Sequence, residues 1–481
     1  MSTASRHPLS AAALLLCATL VAVLLLATAL TLFWPTEHLR SSLTDLASER
    51  LGTPVTIDGD VQVRLWPRPT LKIQEVSLGD GEGSLAAGSA SLRWLPLLRG
   101  RLVPTAVYLD TPALSLVRDR DGVLNIDPRD DSGNGADVIA LWDLHIQQGT
   151  LRWEDQARDQ QATVTGLALS LPAFHWRRAD DGAHPLSRLS LSANASATTL
   201  RYNALTLSDI SLGLSSRDGA LKSSDWQMSF LDSPGSAEAD MDFSDAPARW
   251  ALTLQFDGLQ AAALPDEWLP GDAASGIAGL SVSLTSRGND NDAILQHLDG
   301  TVRLSGQDMV LHGIELDEEL ARFQRTQRFS LVDAGAVIFA GPAWLAATKG
   351  SEFVRLLDRA KGDTDIVHLL SAWTIEDGVA HADDVAMATH RNRIALKGDL
   401  DLPARRISDA AVAVLNKDGC AVIQQRIHGS FSAPEIEEPD IVDALLGAPL
   451  ALLRRGLDAL SLERDSCEVF YQGEVAAPAK D

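Results

Sequence analysis

Arg249-Trp-Ala-Leu-Thr-Leu-Gln-Phe256 sets Trp250, Leu252, Leu254 and Phe256 at every second position, with polar Thr253 and Gln255 between the last three. Successive side chains of an extended chain point to opposite faces, so this reads as a strand with one apolar and one polar face. The same period recurs at Leu280-Ser-Val-Ser-Leu284, Trp226-Gln-Met-Ser-Phe230, Leu189-Ser-Leu-Ser-Ala193 and Val61-Gln-Val-Arg-Leu65. Two-faced strands are the habit of antiparallel sheets. Asp-Gly pairs at Asp121-Gly122, Asp181-Gly182, Asp218-Gly219 and Asp299-Gly300 read as the turns that punctuate them. The expectation is a mainly-β body whose apolar face includes Leu189, Leu191, Leu252, Leu254, Phe256, Leu280, Val282 and Leu284.

Helical spacing is scarce. Thr36 stands where a helix cap belongs, before a stripe of Leu39, Leu43, Leu46 and Leu51, and Gly52 supplies a stop. Further amphipathic patterns run near Ile314 to Phe323, from about Ser351 to Ala360, and from Ile441 to Leu462 with a break at Gly447-Ala448-Pro449. So few helices cannot cover one whole face of an extended sheet. That face must close on itself as a sandwich or barrel, or remain a long groove for something else to fill.

Ahead of the strands, no charged residue occurs between Arg6 and Glu37, and Leu9 to Phe33 is mostly Leu, Ala and Val. At about 1.5 Å per residue such a stretch makes a helix of roughly 37 Å, enough to cross a bilayer with some tilt. Ala27-Thr28-Ala29 also fits a cleaved secretory signal, but the apolar run exceeds the usual core of about 7–15 residues, which favours a retained anchor. Arg6 and the α-amino group favour leaving the amino end in the cytoplasm. Both readings export the remainder. The chain divides in expectation into a cytoplasmic terminus (1–8), an anchor (9–34), an amino-terminal β module (35–130), a central β region (136–290), a carboxy-terminal β region with helices (291–473) and a disordered tail (474–481). Asp127 to Gly135 is the expected loop between the first modules, with a second seam near Gly271 to Gly279.

Composition narrows the partners. The 65 acidic residues against 41 lysines and arginines leave a net charge of −24, which argues against nucleic acid and against broad docking onto an anionic surface. Of three cysteines, Cys17 lies in the apolar stretch, while Cys420 and Cys467 lie in the exported part. In an oxidising compartment these two either pair, closing a loop of about 48 residues worth roughly 4 kcal/mol, or stay as buried thiols; the compartment favours the pair.

Several blocks, taken in order, resemble the AsmA family, inner-membrane-anchored periplasmic proteins of the bacterial envelope. Gly52-Thr-Pro-Val-Thr-Ile-Asp-Gly-Asp-Val-Gln-Val-Arg-Leu-Trp-Pro67 is similar to the family's opening after the anchor. Leu95-Pro-Leu-Leu98 and Arg118-Asp-Arg-Asp-Gly-Val-Leu-Asn125 resemble its next elements. Leu298-Asp-Gly-Thr301 through Gly313-Ile-Glu-Leu316 resembles its carboxy-terminal repeat, and Trp373-Thr-Ile-Glu-Asp-Gly-Val379 with Ile394-Ala-Leu-Lys-Gly-Asp-Leu-Asp-Leu402 its last hairpins. The resemblance implies an elongated, taco-like β-groove on a single inner-membrane helix, with the bulk of the chain periplasmic. It also implies a part in outer-membrane biogenesis, the inner membrane and phospholipid acyl chains as partners, and an outer-membrane or periplasmic protein as a further one.

Signs of chemistry are sparse. There is no Gly-x-Ser-x-Gly elbow, phosphate loop, dinucleotide fingerprint or His-Glu-x-x-His, so no enzyme, cofactor or metal site is expected. Asp119 to Asn125 superficially resembles a calcium loop, but its glycine comes too early and no glutamate closes it; a β-turn is the simpler reading. His381, Asp383 and Asp384 cluster in one strand-turn region, where a solvated edge explains them as well as catalysis does. Trp66, Trp94 and Trp142 read as ligand surface, core or membrane rim. Two functions follow. One is an anchored periplasmic groove that moves phospholipid between the membranes; the alternative is a structural factor supporting outer-membrane protein assembly without carrying lipid.

Overall fold

The computed structural model describes residues 36–97, 103–125, 138–179, 183–263, 274–313, 315–318, 320, 362–437, 440–441 and 467–479. The expected anchor and the segments 1–8 and 9–34, Cys17, the 127–135 loop, the 351–360 helix and nearly all of the 441–462 helix lie outside the described residues. No helix among the described residues is long and apolar enough to cross a membrane.

The chain forms two compact units, Met1–Asp180 with Arg188–Asp218, and Asp181–Ser187 with Gly219–Asp481. Their division falls at Asp218/Gly219, inside the stretch 136–290 expected as one region. The expected seam near Gly271 to Gly279 is instead partly occupied by a continuous strand.

In the first unit, α1 (Thr36–Leu51) leads to strands β1 (Val55–Ile57), β2 (Val61–Arg64), β3 (Thr70–Leu78), β4 (Gly83–Leu92), β5 (Pro104–Arg118), β6 (Val138–Asp155), β7 (Gln160–Arg177), β8 (Leu189–Tyr202) and β9 (Leu205–Arg217), with α2 (Trp94–Leu97) after β4. Gly52 ends α1 with φ +67°, a left-handed stop that glycine adopts without cost. Leu46 and Leu51 of the expected stripe stay exposed; polar contacts, Arg40 to the Gly59 carbonyl and the Val55 amide to Ser48, hold the helix instead. β1 and β2 lie end to end along β3. Each later strand pairs with the one before, antiparallel except for β5 and β6, which run parallel.

The second unit continues with β10 (Ala220–Phe230), β11 (Ser233–Asp242), β12 (Arg249–Gln260), β13 (Ala274–Arg287), α3 (Asn291–Gln296), β14 (Asp299–His312), β15 (Asp363–Glu376), β16 (Val379–Thr389), β17 (Arg393–Asp401), β18 (Arg406–Leu415), β19 (Ala421–Ser430), β20 (Ala433–Ile436) and β21 (Asp440–Ile441). All its pairings are antiparallel, again in chain order, with β20 and β21 both on β19. Asp218 and Gly219 both adopt positive φ. Asp299-Gly300, expected as a turn, opens β14 instead; α3, capped by the Asp290 carboxylate on the Ala293 amide, makes that connection.

The tail expected to be disordered is packed as far as it is described. Val475 is fully buried and Glu474 pairs with Arg303 at 2.7 Å. The reason lies beneath it. The row Leu370–Ala386–Ala395–Ala413 is mostly alanine, and with Ala388 and Leu415 it forms a core into which Tyr471 and Val475 descend. Cys420 and Cys467 are joined, with Cα atoms 6.2 Å apart, and tie this strap to the residue just before β19.

Candidate functional site

In antiparallel pairs, residues directly opposite share a face, so register alone assembles the candidate surface. Across β10 to β15 one row reads Trp226–Ala237–Leu254–Val282–Val302–Trp373. Its neighbours read Met228–Gly235–Phe256–Leu280–Leu304–Ser371 and, from β11, Ala239–Leu252–Leu284–Gly300–Ile375. The rows between are polar, such as Glu238–Thr253–Ser283–Thr301–Thr374. At about 4.8 Å per strand the full-length rows span roughly 24 Å.

The middle of this field is accessible. Leu252 is 36% exposed, and Leu254, Leu280, Val282 and Leu284 are half-buried. Phe256 behaves differently. Its ring lies where a side chain at Gly235 would have to go, meets Phe230 at 5.8 Å between centroids, and is buried, so it builds the sheet rather than its surface. Leu189 and Leu191 stand in the first unit on β8, opposite Trp176 and Phe174; Leu189 is buried and Leu191 half-buried.

From β15 onward the same face is closed. Leu369–Met387–Ile394–Val414–Ile423 is buried along its whole length, as is Ser371–Val385–Leu396–Val412–Gln425. Leu316 and Leu320 are also fully buried, and the Leu316 amide donates to Thr364 Oγ1 at 2.8 Å. The second unit thus holds an open apolar stretch beside a closed core.

The first unit carries equivalent rows that the sequence reading passed over. Leu109–Ile146–Leu169–Ala195–Leu212 and Leu114–Leu151–Val164–Leu200–Leu207 both cross β5 to β9. Between them Thr111, Gln148, Gly166 and Asp209 take left-handed φ of 51°, 53°, 63° and 51°. Each interrupts the alternation as a β-bulge does, so apolar positions fall on odd offsets along one strand. The signal was present as paired alternating runs split by a polar residue or glycine.

Polar candidates resolve into structural partners. Asp119 Oδ1 accepts the amides of Asp121 and Val123, and Asn125 bonds Val117 and Ser115 on the strand, which closes a turn. His381 pairs with Asp399 at 2.8 Å, Asp383 accepts from Thr374, and Asp384 accepts from the Tyr471 hydroxyl and the Glu474 amide. The three face separate partners. Among the described residues no three His, Cys, Asp or Glu side chains gather as a metal site. Beside the apolar field, Asp242 accepts from the Ser244 hydroxyl and amide and from Arg249, which together hold its carboxyl below the usual range. Trp66 and Trp94 are exposed in the first unit; Trp142 falls where side chains are outside the description.

These features define a class of protein built as open, mainly antiparallel sheets in chain order, each with an apolar face and few helices. A model of the AsmA family matches residues 9–175 and again 135–379, and the chain belongs to that family. No curated protein and no solved structure matches it.

Proposed function

We propose that this chain is an inner-membrane-anchored periplasmic protein that assists phospholipid movement or lipid homeostasis between the inner and outer membranes. The observation that carries this reading is the accessible apolar field on β11 to β14, centred on Leu252, Leu254, Val282 and Leu284, on an open sheet. An acyl chain laid along it gains about 0.8 kcal/mol for each methylene withdrawn from water. Neighbouring rows are apolar alike, so a chain can shift from one to the next. Membership of an envelope family and the apolar Leu9 to Phe33 stretch support the anchored, exported setting. Carriage of this kind needs no bond-making residue and no cofactor.

The test is photo-crosslinking in living cells from Leu191, Leu254 and Leu284, with adducts identified by mass spectrometry. Phospholipid adducts are expected at Leu254 and Leu284. Leu254→Glu and Leu284→Glu should abolish both adducts and function while the thermal midpoint stays within a few degrees. Adducts to protein alone would replace this reading with the assembly-factor one.

A further inference from the structure

We propose that one end of the first unit's sheet, formed by Arg64, Trp66, Arg68, Arg93, Trp94 and Leu95, is a docking surface that seats on an anionic bilayer. The inference rests on the anchored reading above and adds a second contact with the same membrane.

Three observations carry it. Exposure is the first: Trp66 is 60% exposed, Leu95 67% and Trp94 39%, and the chain brings them together. The Leu92 amide donates to the Pro69 carbonyl at 2.8 Å and Thr70 pairs with Ser91, so the loop after β2 and helix α2 lie side by side. Tryptophan concentrates at the membrane–water boundary, where its ring is apolar and its N–H is solvated.

Charge is the second. The whole chain is at −24, yet no carboxylate occurs between Asp60 and Glu75 or between Glu82 and Asp110. Arg64, Arg68 and Arg93 are exposed, and among the described residues none of them pairs with an acid. Basic residues beside interfacial aromatics are the complement of an anionic headgroup layer. The opposite end of β3 and β4 turns through Asp80 and Glu82, so the polarity is confined to one end.

Direction is the third. Arg40 reaches Gly59, while Ser48, two turns later, meets Val55. α1 therefore runs antiparallel to β1 and β2, and its amino end points toward the end that carries Trp66, because β2 runs from Val61 to Arg64, which pairs with Thr70. The apolar Leu9 to Phe33 stretch precedes α1 by two residues in the sequence.

The experiment uses the full chain with Cys17→Ser, carrying a spin label at Leu95→Cys or, as control, at Asp80→Cys. Flotation with vesicles of phosphatidylethanolamine and phosphatidylglycerol reads the anchor, and accessibility to a water-soluble nickel relaxation agent reads the docking surface. Position 95 is expected to be several-fold less accessible than position 80. Arg68→Glu with Arg93→Glu should restore access at 95 without changing flotation or thermal midpoint. Equal access at the two positions in floating protein, or protection that survives the charge reversal, overturns the docking surface alone. A chain that does not float overturns the anchor reading with it.

Discussion

Tyr471 shows how much one side chain of the strap carries. Its hydroxyl donates to Asp384 and accepts the Val475 amide at 3.0 Å, and the Arg393 guanidinium lies 5.5 Å from its ring centre. Tyr471→Phe leaves a carboxylate and a buried amide without that partner and should cost about 1–3 kcal/mol, read from chemical denaturation. Burial, then the hydrogen bond to Asp384, pushes the phenol's pKa up. The unfolded chain releases this proton near pH ~10, while the folded chain keeps it. Stability tied to Tyr471 is therefore complete below about pH 10 and lost as pH climbs toward the raised folded value. The wild-type midpoint should fall above that pH more steeply than that of Tyr471→Phe; parallel curves would count against the role. Sequence pattern could not reveal this residue. A lone tyrosine has no periodic partner, and its pocket is made by Ala386, Ala388, Ala395 and Ala413, far earlier in the chain.

At the scale of the strand, alternation was legible where bulges are absent. Trp250 to Phe256 and Leu280 to Leu284 keep one parity throughout, and their registers align as the period predicts. β5 does not: Val107 and Leu109 precede the left-handed Thr111, and Leu114 and Leu116 follow on the other parity. A period-two template scores such a strand as broken, and so the apolar rows of the first unit went unread. Bulges also bend and twist the strands that carry them, which makes them part of the sheet's curvature. Gly276, at φ +110°, faces Met309, whose Cα would stand 2.8 Å from an added Cβ. Gly276 sits where the β13–β14 register shifts between Ser275 and Ile277, so Gly276→Val should cost about 1–3 kcal/mol, and an unchanged denaturation midpoint would show that the chain can move this bulge elsewhere.

Across the whole molecule, the mainly-β antiparallel character and the family were readable from the chain, because both rest on the order of strand and turn signals rather than on any distant contact. The closure of β15 to β19 was not, since burial of both faces there depends on which segment lies over which strand. The Cys420–Cys467 bond fixes one such segment. Cys467→Ser should lower stability by about 4 kcal/mol in the chain-entropy account, and reductant should lower the wild-type thermal midpoint while leaving the variant unmoved. The succession of pairings has a consequence of its own for how the protein is made. Within each unit nearly every strand bonds to the strand that precedes it, so a chain that emerges amino end first during synthesis offers each new strand an edge already in place. Most of the loops to be closed are short, which keeps the entropic barrier to assembly low for those pairings. Two steps are slower, the parallel one from β5 to β6 and the one from His312 of β14 to Asp363 of β15, because each must wait for a long connection to emerge. Edges that would invite aggregation are thus open, over most of the chain, only until the next strand is delivered.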